Sequence, residues 1–181
     1  MTIFRQLANA SSTEGRYPWI SLQGVTVDSI LRIRTGKTRE GVPYFAVDLE
    51  VQEVLGEQPL SADVLSMNEK IGDPTRKARE GVHQPGERVC FSTNLAAPAL
   101  DSKLGNVKNF IVALCAAMDI DPPETEDEWE EAIVDEEAGF ASGDGTLAAG
   151  TKLIRSTEWR AKKQGVGVYP VSTWSPVEAA A

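Results

Sequence analysis

"WISLQGVTVDSILRIRTG", residues 19 to 36, changes the phase of its apolar positions partway along. Ile20 and Leu22 are apolar at even positions; after Gly24 the apolar set becomes Val25, Val27, Leu31 and Ile33, at odd ones. A strand keeps one face apolar through such a switch only if an extra residue enters the ladder, and glycine suits that bulge best. A long first strand bent at Gly24 can belong to two layers of a small barrel. The rival arrangement, a split α+β sheet, has no need of the bend.

Downstream, the stretch runs into Gly36-Lys37-Thr38, the letters that close a phosphate-binding P-loop. A P-loop needs another glycine five positions before Gly36, where Leu31 stands, and a helix afterwards to aim amides at phosphate. The chain continues instead with "VPYFAVDLEVQEV", in which Phe45, Val47, Leu49 and Val51 alternate with Tyr44, Ala46, Asp48 and Glu50. That is the two-residue period of a half-buried strand, so the triplet is placed in a hairpin turn and strand two over 43–54.

A long segment, 55–86, carries a candidate short helix in "SADVLSMNEK" and a basic loop in "IGDPTRKAREG"; strand three is expected at 87–95. In "DSKLGNVKNFIVALCAAM", Ser102 is placed to cap a helix with the apolar stripe Leu104, Val107, Ile111, Leu114, Cys115 and Met118. Pro122 and Pro123 end it. Thr125 and Glu128 then have the spacing of a capping box for a second helix, whose narrow apolar edge is Trp129, Ala132 and Ile133. "AGFASGDGTLAAG" has the composition of a flexible linker, and strands four and five come next in "TKLIRSTEWRA" and "VGVYPVSTWSP", joined by a turn at "KKQG". Three strands, a helix and two strands, with the first strand bent, is the order of an OB-fold: a mainly β, five-stranded Greek-key barrel with a helix between strands three and four. The expected organisation is an N-terminal arm over 1–16, one OB-fold domain over 17–176 with the insertion 55–86 and an acidic helical segment 119–137, and a short tail over 177–181.

A net charge of −9 argues against a nucleic-acid partner only until it is mapped. Residues 119–137 hold eleven acids and no base; without them the chain has 16 acids against 18 bases. The bases cluster in 32–39, 70–79 and 152–163. Catalysis finds little support: His83, the single histidine, lies in "GVHQPG" with no second ligand in metal spacing, and Cys90 and Cys115 sit in apolar surroundings as free thiols. No cofactor and no enzymatic activity are expected. There is no apolar run long enough to cross a bilayer, and "MTIFRQLANASSTEG" lacks the pattern of a signal peptide, so a cytoplasmic protein without a membrane partner is expected.

"GVPYFAVDLEVQEVLG" at 41–56, "GERVCFSTNL" leading to "LGNVKNFIVALCAAMDID" across 86–121, and "GVGVYPVSTWSP" at 165–176 resemble a family of phage-encoded OB-fold proteins that bind single-stranded DNA. These stretches cover under half the chain. The resemblance implies a non-catalytic role in phage DNA replication or recombination, in the host cytoplasm. Bacterial single-strand-binding proteins carry a terminal acidic tail, whereas the acids here are internal.

Binding of single strands without sequence preference needs a positive groove for the backbone and aromatic faces for the bases. In an OB-fold the groove is flanked by the loops joining strands one and two and strands four and five. The first loop offers Lys37 and Arg39, with Arg32 and Arg34 on the outward face of the strand before it; the second offers Arg160, Lys162 and Lys163. Tyr44, Trp159 and Tyr169 are the candidate stacking rings, and Trp19, Trp174 and Phe110 are assigned to structure. The two basic clusters are expected at one mouth of the barrel. Single-stranded DNA is thus the expected partner. The alternative is an OB-fold interaction module that recruits a replication or recombination protein through its acidic helix; assembly with further copies of the chain is left open.

Overall fold

The structure, a computed structural model, describes residues 17–134 and 139–177. The arm 1–16, the residues 135–138 at the end of the acidic segment, and the tail from 178 lie outside the described residues. Five strands form one antiparallel sheet in the order β3-β2-β1-β4-β5: β1 (Gly24–Lys37), β2 (Pro43–Gly56), β3 (Arg88–Asn94), β4 (Lys152–Ala161) and β5 (Val168–Pro176). Among the described residues three helices accompany it: α1 (Ala62–Lys70), α2 (Leu100–Met118) and α3 (Glu126–Val134). Three consecutive antiparallel strands with the fourth returning beside the first is the Greek-key order. Among the described residues no helix is long and apolar enough to cross a membrane.

The expected five-stranded barrel is corrected to an open sheet. Strands β3 and β5 are its two edges, and no backbone ladder joins them among the described residues. The sheet instead curls until side chains meet: Phe91 on β3 and Trp174 on β5 have ring centroids 5.6 Å apart, and Phe110 of α2 packs on both, at 6.3 and 5.2 Å. Helix α2 therefore plugs the seam that hydrogen bonds leave open. Its buried face is Val107, Phe110, Ile111 and Leu114, each contributing about 1.5–3 kcal/mol on leaving water. Ser102 is not its cap; the helix starts earlier, after Ala99 in a left-handed conformation.

The bend of β1 is real but lies elsewhere than Gly24. Ile30 pairs with Leu49 and Arg32 with Asp48, so Leu31 is the extra residue, and further shifts leave Gln52 and Leu55 unmatched on β2. Thr26, Asp28 and Ile30 share the inner face before the shift; Ile33 takes it over afterwards. Gly24 opens the strand with φ of 140°, and a Cβ there would meet Val82 Cγ2 at 2.7 Å. Upstream of it the chain runs along the β3 edge, where the Ile20 amide donates to the Cys90 carbonyl (3.2 Å) and the Cys90 amide to the Pro18 carbonyl (2.8 Å).

Inside the curled sheet, an ion pair between Asp28 of β1 and Arg155 of β4 is almost fully buried. Thr26 donates to Asp28 (2.8 Å), Arg155 donates to Thr157 (3.0 Å), and Thr157 shares a hydrogen bond with Ser172 (2.8 Å). This polar belt divides the interior. On one side is the main core with Ile30, Phe45, Leu49, Phe110, Leu153 and Trp174; on the other, a smaller cluster of Leu60, Val64 and Ala78 packs under α1 against Trp159 and Val168.

The insertion is fastened by side chains. Ser61 caps α1, accepting from the Val64 amide, and Gln23 donates to the carbonyls of Gln58 and Pro59 while accepting from the Trp159 amide (2.9 Å). The ring of His83 accepts from the Ser21 amide at Nε2 (3.2 Å), so its proton lies on Nδ1, donated to Glu87 (2.8 Å). Burial, with Arg155 nearby, holds the His83 pKa below the ordinary histidine value of 6.5 despite the Glu87 contact. Nor are residues 139–150 a flexible linker. Phe140 and Ala148 are buried in the main core, and the carbonyls of Gly145 and Thr151 accept from the Ile33 and Ile30 amides at 2.9 Å, taking over the β1 edge where β4 leaves it at Ser29.

These contacts lead to two expected outcomes. Because the fold keeps His83 neutral, the unfolded chain binds the extra proton between the lowered folded pKa and about 6.5. Its stabilising effect is therefore complete above about pH 6.5 and is lost as pH falls below it; denaturant midpoints measured from pH 8 to 5 should drop over that window, and less steeply for His83→Gln. Gly145→Ala should cost about 2–4 kcal/mol, because the new Cβ would overlap the Ile33 carbonyl oxygen in a residue already at φ of 76°. The control, Gly150→Ala, meets no atom and should cost only the left-handed strain of about 1–2 kcal/mol.

Candidate nucleic-acid interface

Alternation along β2 turns Phe45, Val47, Leu49 and Val51 inward, so Tyr44, Ala46, Asp48 and Glu50 face outward. Register then builds the outward face strand by strand. Arg34 lies opposite Ala46 and Arg32 opposite Asp48 on β1; Asn94, Ser92, Cys90 and Arg88 lie opposite Tyr44, Ala46, Asp48 and Glu50 on β3. Trp19 pairs with Cys90 in parallel register, which puts the indole on this same face while its neighbour Ile20 enters the core. Trp19 is 68% exposed, the most exposed of the large apolar side chains among the described residues.

Asp48, with no exposed surface, sits at the centre of the face and accepts from Arg32 (2.5 Å) and Arg34 (2.8 Å). Two guanidinium groups thus share one carboxylate, which holds both side chains along the sheet and leaves the local charge positive. Arg34 also donates to the Cys90 sulfur at 3.7 Å. Burial pushes the Cys90 thiol up to about 11, so it stays protonated at neutral pH. The Tyr44 ring lies against Gly36, and beyond it the exposed Lys37 and Arg39 occupy the hairpin tip. At the other end Arg88 pairs with Glu50 (2.9 Å) and stacks over Tyr17, 5.7 Å from the ring centre. The result is a stripe from Tyr17 and Trp19 through the arginine pair to Tyr44 and the basic tip. From Trp19 to Tyr44 it spans roughly 13 Å along the strands and two strand spacings of about 4.8 Å across them.

The remaining sequence-predicted residues lie on the β4–β5 hairpin. Trp159 faces inward: it packs against the cluster of Leu60, Val64 and Ala78, and its indole donates to the Ser21 carbonyl at 3.3 Å. Arg160 is ion-paired with Glu158. Tyr169 lies across from Arg160, 41% exposed, and Lys162 and Lys163 are exposed in the turn. The single mouth expected from the sequence is corrected by register. Gly24, at the start of β1, pairs with Thr157, whereas Lys37 ends β1 at the other hairpin, so the two basic clusters are separated by roughly 40 Å of strand.

Trp19, Tyr17 and Arg88 were not expected at the surface site. The signal for Trp19 was present: it is out of phase with Ile20 and Leu22, so an inward set of even residues turns it outward. The acidic helix α3 lies on the opposite side of the sheet, with Trp129, Ala132 and Ile133 against the main core and Lys108 of α2 over the Trp129 ring (5.6 Å). Its capping box forms as expected, Thr125 accepting from the Glu128 amide (3.3 Å) and Glu128 from the Thr125 amide (3.1 Å). The amides of Glu124 and Thr125, both donating to its carboxylate, hold the Glu128 pKa below its ordinary range. Among the described residues no group of three or more His, Cys, Asp and Glu side chains is placed to hold a metal ion.

No protein-family model matches the chain, and no curated protein matches it.

The stripe divides into residues that build the face and residues that stand on it. Arg34→Ala removes one of two partners of a buried carboxylate and should cost about 1–3 kcal/mol in denaturant melts, whereas Lys37→Ala at the exposed tip should stay within about 0.5 kcal/mol of the parent.

Proposed function

We propose that this chain is a non-catalytic OB-fold protein that binds single-stranded DNA across the outward face of β1, β2 and β3. The Greek-key strand order, the helix between β3 and β4 and the curled five-stranded sheet support the OB-fold reading. The observation that carries the binding reading is Trp19, largely exposed and set on one face with Tyr44 and the Arg32–Arg34 pair. Exposed rings on a positive surface are what unstacked bases require, and such a surface favours single strands because duplex DNA offers no free base faces. The resemblance to phage single-strand-binding proteins points to a role in replication or recombination. The non-catalytic reading rests on His83 being engaged at both ring nitrogens and on the protonated Cys90 thiol.

Binding of oligo-dT, followed by fluorescence across a salt series, tests this. Affinity should fall with a log–log slope of about −0.7 per phosphate contacted. Trp19→Ala and Tyr44→Ala should each weaken binding by roughly the 1–3 kcal/mol of one lost stack, with the melting temperature unchanged. A Lys162→Ala, Lys163→Ala double variant should lose far less, since that turn lies at the far end of β1. A flat salt response, equal affinity for duplex DNA, or a Trp19→Ala variant that binds like the parent would sink the proposal.

A further inference from the structure

Where α2 ends, the chain turns back through two prolines into α3, and the loop after α3 returns across both. Between them lies an open groove with a volume of about 240 Å³. Its wall is apolar: Ile120, Ala132, Phe140 and Leu147 line it, with Cys115 of α2 among the deeper residues. Ile120 and Leu147 remain 46% and 60% exposed, so the groove has apolar lips that the described residues leave uncovered. Asp121, Glu128 and Glu131 complete the lining. Glu128 is spent on the capping box, but Asp121 and Glu131 have no ion-pair partner among the described residues. Eleven acids and no base lie between 119 and 137.

Volume and charge together select the occupant. The groove is smaller than the roughly 300–1,000 Å³ of sites for whole small ligands or cofactors, and suits one large or two small apolar side chains. The surrounding acids repel phosphate and attract Lys and Arg. We infer that this groove binds a short basic segment of a partner protein, seating an apolar side chain between Ile120 and Leu147 while flanking lysines or arginines meet Asp121, Glu131 and the acids of α3. The groove lies on the core side of the sheet, away from Trp19, Arg34 and Tyr44, so a strand on the outward face and a peptide in the groove can be held together. This assignment does not depend on the outward face binding DNA.

The probe is a fluorescein-labelled peptide, KRKLFKRK, titrated with the full chain and read by anisotropy. Saturable binding is expected, at least tenfold weaker for KRKSSKRK. Asp121→Asn with Glu131→Gln should weaken it about fivefold at low salt and little in 0.5 M salt, because screening already removes that attraction. Ile120→Ser with Leu147→Ser should weaken it at least tenfold at both salt concentrations. Should that pair fail to fold, amide chemical shifts in the parent protein decide the matter: perturbation on titration is expected at Ala132 and Leu147. Saturating oligo-dT should leave the peptide affinity within twofold. Equal binding of KRKSSKRK, folded groove variants that bind like the parent, or shifts confined to other surfaces would overturn the inference, the first by showing attraction to bulk negative charge alone.

Discussion

An antiparallel sheet that curls without closing has one seam where backbone groups cannot satisfy each other, and here the seam between β3 and β5 governs the rest. Aromatic side chains fill it in place of a ladder: Phe91 and Trp174 reach across, and Phe110 sits on both at right angles to Trp174. A single side chain from α2 could not do this unless the helix lay along the seam, which is why α2 packs on β5 and buries its face so completely. Its direction then sets where the chain emerges. The two prolines and α3 are carried to the core side of the sheet, and among the described residues no helix lies over the outward face of β1, β2 and β3.

The second constraint is the polar belt of Asp28 and Arg155. Taking both charges out of water is costly, and attraction offsets that cost only when the remaining hydrogen-bonding capacity is met. Thr26, Thr157 and Ser172 meet much of it from β1, β4 and β5. The pair consequently works as a register pin: a slip of β1 against β4 by one residue would turn one of the two charges to the other face of the sheet and leave its partner buried without a counter-charge. The outward face uses the same chemistry differently. Asp48 is as deeply buried as Asp28, but its arginines keep 36% and 26% of their side chains exposed, so the carboxylate orients two cations without extinguishing both.

Much of the fold was legible because it depends on local alternation. The inward set of β2, the short helix after Ser61 and the capping box at Thr125 and Glu128 each follow from residues close together in the chain. The misplacements share a cause, which is that the deciding partner is remote or is backbone. Leu31 reads as a core residue because leucine is apolar, yet the bulge turns it aside and gives the inner position to Ile33. The segment around Gly145 reads as a linker because its anchor is the Ile33 amide, which leaves no mark in side-chain composition. Arg155 reads as one more base in a cluster, since nothing near it in sequence announces a carboxylate 127 residues away. At the candidate site the arginines and Tyr44 were legible from face alternation, but Trp159 was drawn inward by an insertion whose packing no periodicity encodes. Trp19 was released outward by its parallel pairing with β3.

Separation of charge across the sheet is what reconciles an acidic chain with a basic face. Had the acids of α3 shared the arginine face, they would add to the pairing that Asp48 and Glu50 already make there and leave few cations for a phosphate backbone. Placed on opposite sides, with an apolar core of low dielectric between them and screening within about 10 Å in solution at moderate salt, they act as independent surfaces. The acids of α3 then cannot cover the arginine stripe as an internal mimic of DNA without leaving the core that Trp129, Ala132 and Ile133 enter. What remains open to them is a partner approaching from the core side, and the unfilled apolar groove beside them gives such a partner a place to anchor.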